Sequence, residues 1–121
     1  MNVRRCMPIA VAACVLWAGA ADAQSLGFVS FSAIVDDGGN TTLGRGVQAS
    51  SRVGRGVYVV EFARDLSLCT MVATVRGRKT GFASVRYPAD EQSPNSIRVL
   101  TFTETGARAN LGFNVLVNCA S

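Results

Sequence analysis

The fold class of this chain is decided by the stretch GVYVVEF, residues 56–62. Its large apolar residues Tyr58, Val60 and Phe62 occupy every second position, which is the spacing of a β-strand with one buried face. The same alternation recurs over residues 69–75 and 113–119. Nothing in the chain after residue 23 sustains the helical period of 3.6, so the sequence predicts an all-β protein.

Glycine, proline and aspartate residues separate the alternating runs at the distances expected of hairpins, which leaves about seven or eight short strands. The predicted strands lie near residues 27–35, 46–53, 57–63, 69–75, 81–87, 96–103 and 111–118. A single sheet of that many strands would leave one wide apolar face uncovered, so it should fold over as a sandwich or close as a barrel. We expect the sandwich, two packed antiparallel sheets of jelly-roll type.

Residues 1–23 have the three parts of a cleavable secretory signal peptide. Two arginines precede an apolar run over residues 6–18, and the small-residue site Ala21-Asp22-Ala23 precedes Gln24. The run is short for a membrane span, which needs roughly 20 apolar residues. We therefore expect cleavage after Ala23, one mature domain of residues 24–121, and a protein secreted to the periplasm or the cell exterior.

An alternative at the N-terminus is lipidation of Cys14. Residues 11–14, VAAC, are similar to the lipobox tetrapeptide of lipoproteins, although the apolar run continues past Cys14 where a lipoprotein usually turns polar. Lipidation would place the protein on a membrane surface.

Cys69 and Cys119 are the two cysteines that remain after residue 23. In an oxidising compartment two cysteines of a small domain usually pair, and each continues the apolar phase of its predicted strand. A bridge between them would close a loop of about fifty residues and stabilise the domain by on the order of 4 kcal/mol. Two unpaired buried thiols are the alternative.

Removal of the signal peptide leaves ten basic and seven acidic residues, a net charge of +3. The basic residues are spread from Arg45 to Arg108 and do not form the stripe typical of a nucleic-acid binder, so no nucleic-acid partner is predicted. The densest cluster is Arg76, Arg78 and Lys79, in a predicted turn. It is the candidate contact with an anionic surface such as a glycan or a lipid headgroup; the simpler interpretation is a hairpin tip kept soluble by charge.

The chain contains no histidine, so it lacks the usual general base near neutral pH and the commonest zinc ligand. The paired carboxylates Asp36-Asp37 and Asp90-Glu91 lie in predicted turns, where acidic residues are common for structural reasons. Asp36, Asp37 and Asn40 offer oxygen ligands for calcium, but without the spacing of an EF-hand. We predict no catalytic, cofactor-binding or metal-binding residues.

The pattern G-x-Y-x-V-x-F at residues 56–62, with the closing F-x-V-x-V-x-C at 113–119, resembles a small uncharacterised β-rich domain of secreted bacterial proteins. The resemblance covers about residues 31–119 and includes Asp37-Gly38 and Arg45-Gly46-Val47. It implies the fold and export, and that family has no assigned activity. The same strand is similar to the aromatic strand of the jelly-roll heads of complement and tumour necrosis factor relatives, which trimerise and bind partners.

These observations predict a secreted, non-catalytic structural or ligand-binding module. Its partner would be a protein or a glycan at the cell envelope, without a stable membrane span, and a homo-oligomer is compatible with the sequence. The alternative from another class is a small secreted enzyme or an inhibitor of one. An inhibitor would act through the exposed loop between Pro88 and Pro94.

Overall fold

A computed structural model of the chain describes residues 28–120. The predicted signal peptide, its cleavage site and Cys14 lie outside the described residues. The described chain forms eight β-strands: β1 Phe28–Val35, β2 Thr41–Arg45, β3 Val47–Gly54, β4 Val57–Phe62, β5 Cys69–Val75, β6 Gly81–Arg86, β7 Ser96–Thr103 and β8 Phe113–Ala120. Within residues 28–120, no helix is long and apolar enough to cross a membrane.

The strands form two four-stranded antiparallel sheets. We name them sheet A, with strand order β2-β1-β8-β5, and sheet B, with strand order β3-β4-β7-β6. Alternate residues of both sheets point to a shared interior, as the period-two pattern requires. The all-β class and the two antiparallel sheets are confirmed, and the arrangement is consistent with a β-sandwich.

Seven strands lie within two residues of their predicted bounds, and β2 was not predicted. All five residues of β2, TTLGR, are exposed, so no apolar alternation marks the strand in the sequence. The last strand begins at Phe113 rather than at residue 111, because Phe113 is the first residue of β8 paired with both β1 and β5. Leu111 is buried all the same, within the loop that precedes β8.

The core is built from the inward-facing residues of both sheets. Tyr58 packs its ring edge against Phe113, with ring centroids 5.1 Å apart, and the Tyr58 hydroxyl donates a hydrogen bond to the Asp37 carbonyl at 2.8 Å. This bond satisfies the one polar group of a fully buried ring. The buried cluster comprises Ala33, Val35, Tyr58, Val60, Phe62, Leu66, Ala73, Ile97, Val99, Phe113, Val115, Val117 and Cys119.

The predicted disulfide is confirmed. Cys69 opens β5 directly opposite Cys119 of β8, with an S–S distance of 2.06 Å and Cα atoms 4.0 Å apart. Cys119 is fully buried and Cys69 is partly buried. The bridge joins the edge strand β5 to the central strand β8 at the end of sheet A where Phe28 and Ala120 also lie.

Candidate functional site

Four loops meet at the end of the sandwich that lies away from the disulfide. In sheet A, Val35 of β1 and Val75 of β5 both pair with Phe113, so β1 and β5 end where β8 begins. The β3–β4 turn of sheet B lies at the same end, because the Gly56 N–H donates a hydrogen bond to Asn110 in the β7–β8 loop. The loops are residues 36–40, 55–56, 76–80 and 104–112.

Hydrogen bonds fix the loops relative to one another. The Gly56 N–H donates to Asn110 Oδ1 at 2.8 Å, and the Arg76 N–H donates to the Gly112 carbonyl at 2.8 Å. The loop before β8 therefore joins the β3–β4 turn to the β5–β6 turn. The Asp37 carbonyl accepts from Arg52 Nη1 at 3.4 Å as well as from the Tyr58 hydroxyl, which connects the β1–β2 loop to sheet B.

The strand connections gather positive charge at this end. Its charged residues are the cations Arg52, Arg55, Arg76, Arg78, Lys79 and Arg108 and the acids Asp36, Asp37 and Glu104. The rest of the described chain holds four cations and four acids. The whole net charge of +3 of residues 28–120 is therefore found here, and we call this region the basic end.

Two grooves cross the basic end and share Asn110. The first, of about 510 Å³, lies beside the β5–β6 turn and is lined by all three predicted contact residues, Arg76, Arg78 and Lys79. The second, of about 460 Å³, is lined by Arg52 and Arg55. The structure thus places the predicted basic turn beside cations that are 21 or more residues away in sequence.

Asp36 and Asp37 also line the first groove. Asp36 Oδ1 accepts hydrogen bonds from the N–H groups of Gly38 at 3.0 Å and Asn40 at 2.9 Å. The backbone N–H of Asn40 is the largest cause that lowers the pKa of the Asp36 carboxyl below its ordinary value. Asp36 therefore caps its own loop. Within residues 28–120, no group of three His, Cys, Asp or Glu side chains is placed to hold a metal ion.

The outward side of sheet A is a second surface of unusual composition. Strands β1, β5 and β8 contain no charged residue, whereas each strand of sheet B contains one: Arg52, Glu61, Arg86 and Arg98. The outward residues of sheet A, apart from Arg45 at the end of β2, are Ser30, Ser32, Ile34, Leu43, Thr70, Val72, Thr74, Asn114, Leu116, Asn118 and Ala120. We call this surface the uncharged face.

A row of apolar side chains crosses the uncharged face. Leu43 on β2 is 66% exposed, Leu116 on β8 is 44% exposed and Val72 on β5 is 57% exposed. Val72 pairs directly with Leu116, and Ile34 pairs with Leu43. Ile34 and Leu116 are offset by two residues between β1 and β8, where Ile34 pairs with Asn114, and the four apolar side chains line one groove on this face.

Two pairs of polar side chains beside this row bond to each other. The Ser30 hydroxyl donates to Asn118 Oδ1 at 2.7 Å, and Asn114 Nδ2 donates to Thr74 Oγ1 at 2.9 Å. Because these groups already have partners, covering them costs less than covering unpaired polar groups.

The loop between Pro88 and Pro94, the expected location of an inhibitory contact, lies at the disulfide end of the sandwich. It is ordered by its own hydrogen bonds: Asp90 accepts from the Gln92 N–H at 2.9 Å and from the Ser93 hydroxyl at 3.2 Å. No residue of this loop lines either groove of the basic end.

Comparison of this chain with protein-family models, with curated proteins and with solved structures finds no match.

Proposed function

We propose that this protein is an exported, non-catalytic structural module of jelly-roll type that assembles into a homo-oligomer through the uncharged face. The observation that carries the proposal is the absence of charged residues from β1, β5 and β8, together with the exposed apolar row that crosses them. The centres of protein interfaces are likewise depleted of charge.

The dimensions of the face allow a specific contact. Four strands of up to eight residues cover roughly 27 Å by 19 Å, or roughly 500 Å² per copy. Two copies would bury roughly 1,000 Å², the lower limit for a specific interface. We therefore expect an assembly that dissociates on dilution.

Charge supports a second copy as the partner. Two copies with a net charge of +3 repel where their basic ends meet, whereas the uncharged faces carry cations only at their border: Arg45 at the end of β2 and Arg76 just after β5. The resemblance to jelly-roll heads that trimerise is a further support. The disulfide and the expected signal peptide support an oxidising compartment outside the cytoplasm as the place of action.

The assembly is tested by sedimentation velocity on residues 24–121 over a range of concentrations. Leu116→Lys puts a charge at the middle of the face, where burial of an unpaired ion is unfavourable, and is expected to give monomer at concentrations where the wild type is assembled. Val53→Lys is the matched control, because Val53 is similarly exposed but lies on sheet B. It is expected to assemble like the wild type.

A charge-reversal experiment distinguishes assembly through the uncharged face from assembly through other surfaces. A mixture of Leu116→Lys and Leu116→Glu chains should assemble although each variant alone stays monomeric, because opposite charges then meet at the interface. A wild type that remains monomeric at about 0.1 mM, the weak end of the affinities expected for so small a contact, or an assembly unchanged by Leu116→Lys, would contradict the proposal.

A further inference from the structure

We propose that the basic end binds a linear acidic polysaccharide, whose carboxylate or sulfate groups lie along the two grooves that meet at Asn110. This binding site lies at one end of the sandwich and does not depend on self-association through the uncharged face. It extends the predicted contact at Arg76, Arg78 and Lys79 to cations contributed by sheet B.

The side chains suit this ligand chemistry. Five of the six cations at the basic end are arginines, and a guanidinium group binds carboxylate, sulfate or phosphate through two parallel hydrogen bonds. Arg76 and Arg78 line the first groove, and Arg52 and Arg55 line the second. The cations thus follow a path across the end of the sandwich, as the repeating charges of a polymer require.

Two of the three acids at this end do not interrupt this series of cations, and the third, Asp37, lines the first groove beside Arg76, Arg78 and Lys79. Asp36 turns its carboxylate towards the N–H groups of its own loop, and Glu104 lines neither groove. The second groove has Arg52 and Arg55 among its lining residues and no acid.

The form of the site favours a polysaccharide over a membrane or a nucleic acid. The cations border two open grooves that share Asn110, and an extended chain can lie along them. No described phenylalanine or tyrosine lines either groove, so the site lacks the stacking platform of single-stranded nucleic-acid binders. The disulfide also supports an oxidising compartment, such as the periplasm or the cell exterior, as the place of action.

Binding of residues 24–121 to polygalacturonate and to dextran sulfate tests the proposal, with uncharged dextran as the blank. Arg78→Gln with Lys79→Gln is expected to weaken binding at least tenfold and to reduce its salt dependence, because fewer counterions are released. Arg52→Gln with Arg55→Gln, which both line the second groove, should have the same effect.

Arg45→Gln with Arg86→Gln is the matched control, because it removes the same charge outside the basic end. It should bind within about twofold of the wild type, since charges beyond a Debye length of about 8 Å are largely screened. Thermal melts verify that each variant is folded.

Four outcomes would overturn the assignment: equal loss of binding in the control, no loss in either variant of the basic end, tighter binding to vesicles of phosphatidylcholine and phosphatidylglycerol than to both polymers, or equally tight binding to single-stranded DNA. Sedimentation of the two variants of the basic end should show unchanged assembly. Failure of this site is therefore distinguishable from failure of the uncharged face.

Discussion

Gly39 turns the β1–β2 loop back against β3 with a φ of 91°, in the left-handed region. A Cβ atom added there would lie 2.3 Å from the backbone nitrogen of Arg52, which cannot move without displacing β3. At this position the chain requires both the backbone freedom and the small volume of glycine.

Replacement of this residue separates the two requirements. Gly39→Ala should lower the free energy of unfolding by at least about 2 kcal/mol more than Gly106→Ala. Gly106 has nearly the same φ, 90°, but open space around its Cβ position, so it reports the backbone strain alone. Urea denaturation measures the free energy of unfolding of both variants. An equal loss of stability in the two would mean that the loop can move away from β3.

The basic residues show how far the sequence reveals the site. Arg76, Arg78 and Lys79 were recognisable because they are neighbours in the chain. Arg52 and Arg55 join them only through the fold, since their proximity depends on which strands pair and at which end each turn lies. Pairing across two sheets is not encoded in local periodicity, so the basic residues appeared scattered in the sequence.

The β5–β8 pair is the element on which the disulfide acts. The bridge closes a loop of 50 residues, so Cys69→Ala with Cys119→Ala should lower the free energy of unfolding by about 2–5 kcal/mol. The expected result is a lower melting temperature in the variant and in the reduced wild type. Reductant should not change the melting temperature of the double variant, which has no bridge to reduce. This variant therefore controls for any other effect of the reductant on the melt.

Thiol titration of the denatured chain completes this test. Residues 24–121 without reductant should release no free thiol. Two free thiols per chain, or a melt unaffected by reduction, would contradict a stabilising role of the bridge.

Strand β2 is the one described strand that the sequence pattern did not predict. The buried strands β4 and β8 alternate clearly because one face of each packs into the core. In β2 every residue is exposed, and backbone pairing with β1 holds the strand. A strand stabilised by its neighbour rather than by burial leaves no apolar pattern.

The whole exported molecule should begin at Gln24. This start is expected because signal peptidase cleaves after small residues such as Ala23. N-terminal sequencing or intact mass of the protein recovered from outside the cytoplasm identifies the first residue. An Ala23→Phe chain is expected to remain unprocessed. A lipidated N-terminus at Cys14 would contradict cleavage at Ala23 and place the protein on a membrane.

The pairing of β1 with β8 sets Phe28 opposite Ala120. Both ends of the described chain therefore leave the sandwich on one side, roughly 27 Å, a strand's length, from the loops at its opposite side. A fluorescent reporter, a bead or a neighbouring domain fused to either terminus would point the arginine-rich loops outward. Immobilisation through either terminus thus orients every molecule the same way, and the grooves stay accessible to long polymers.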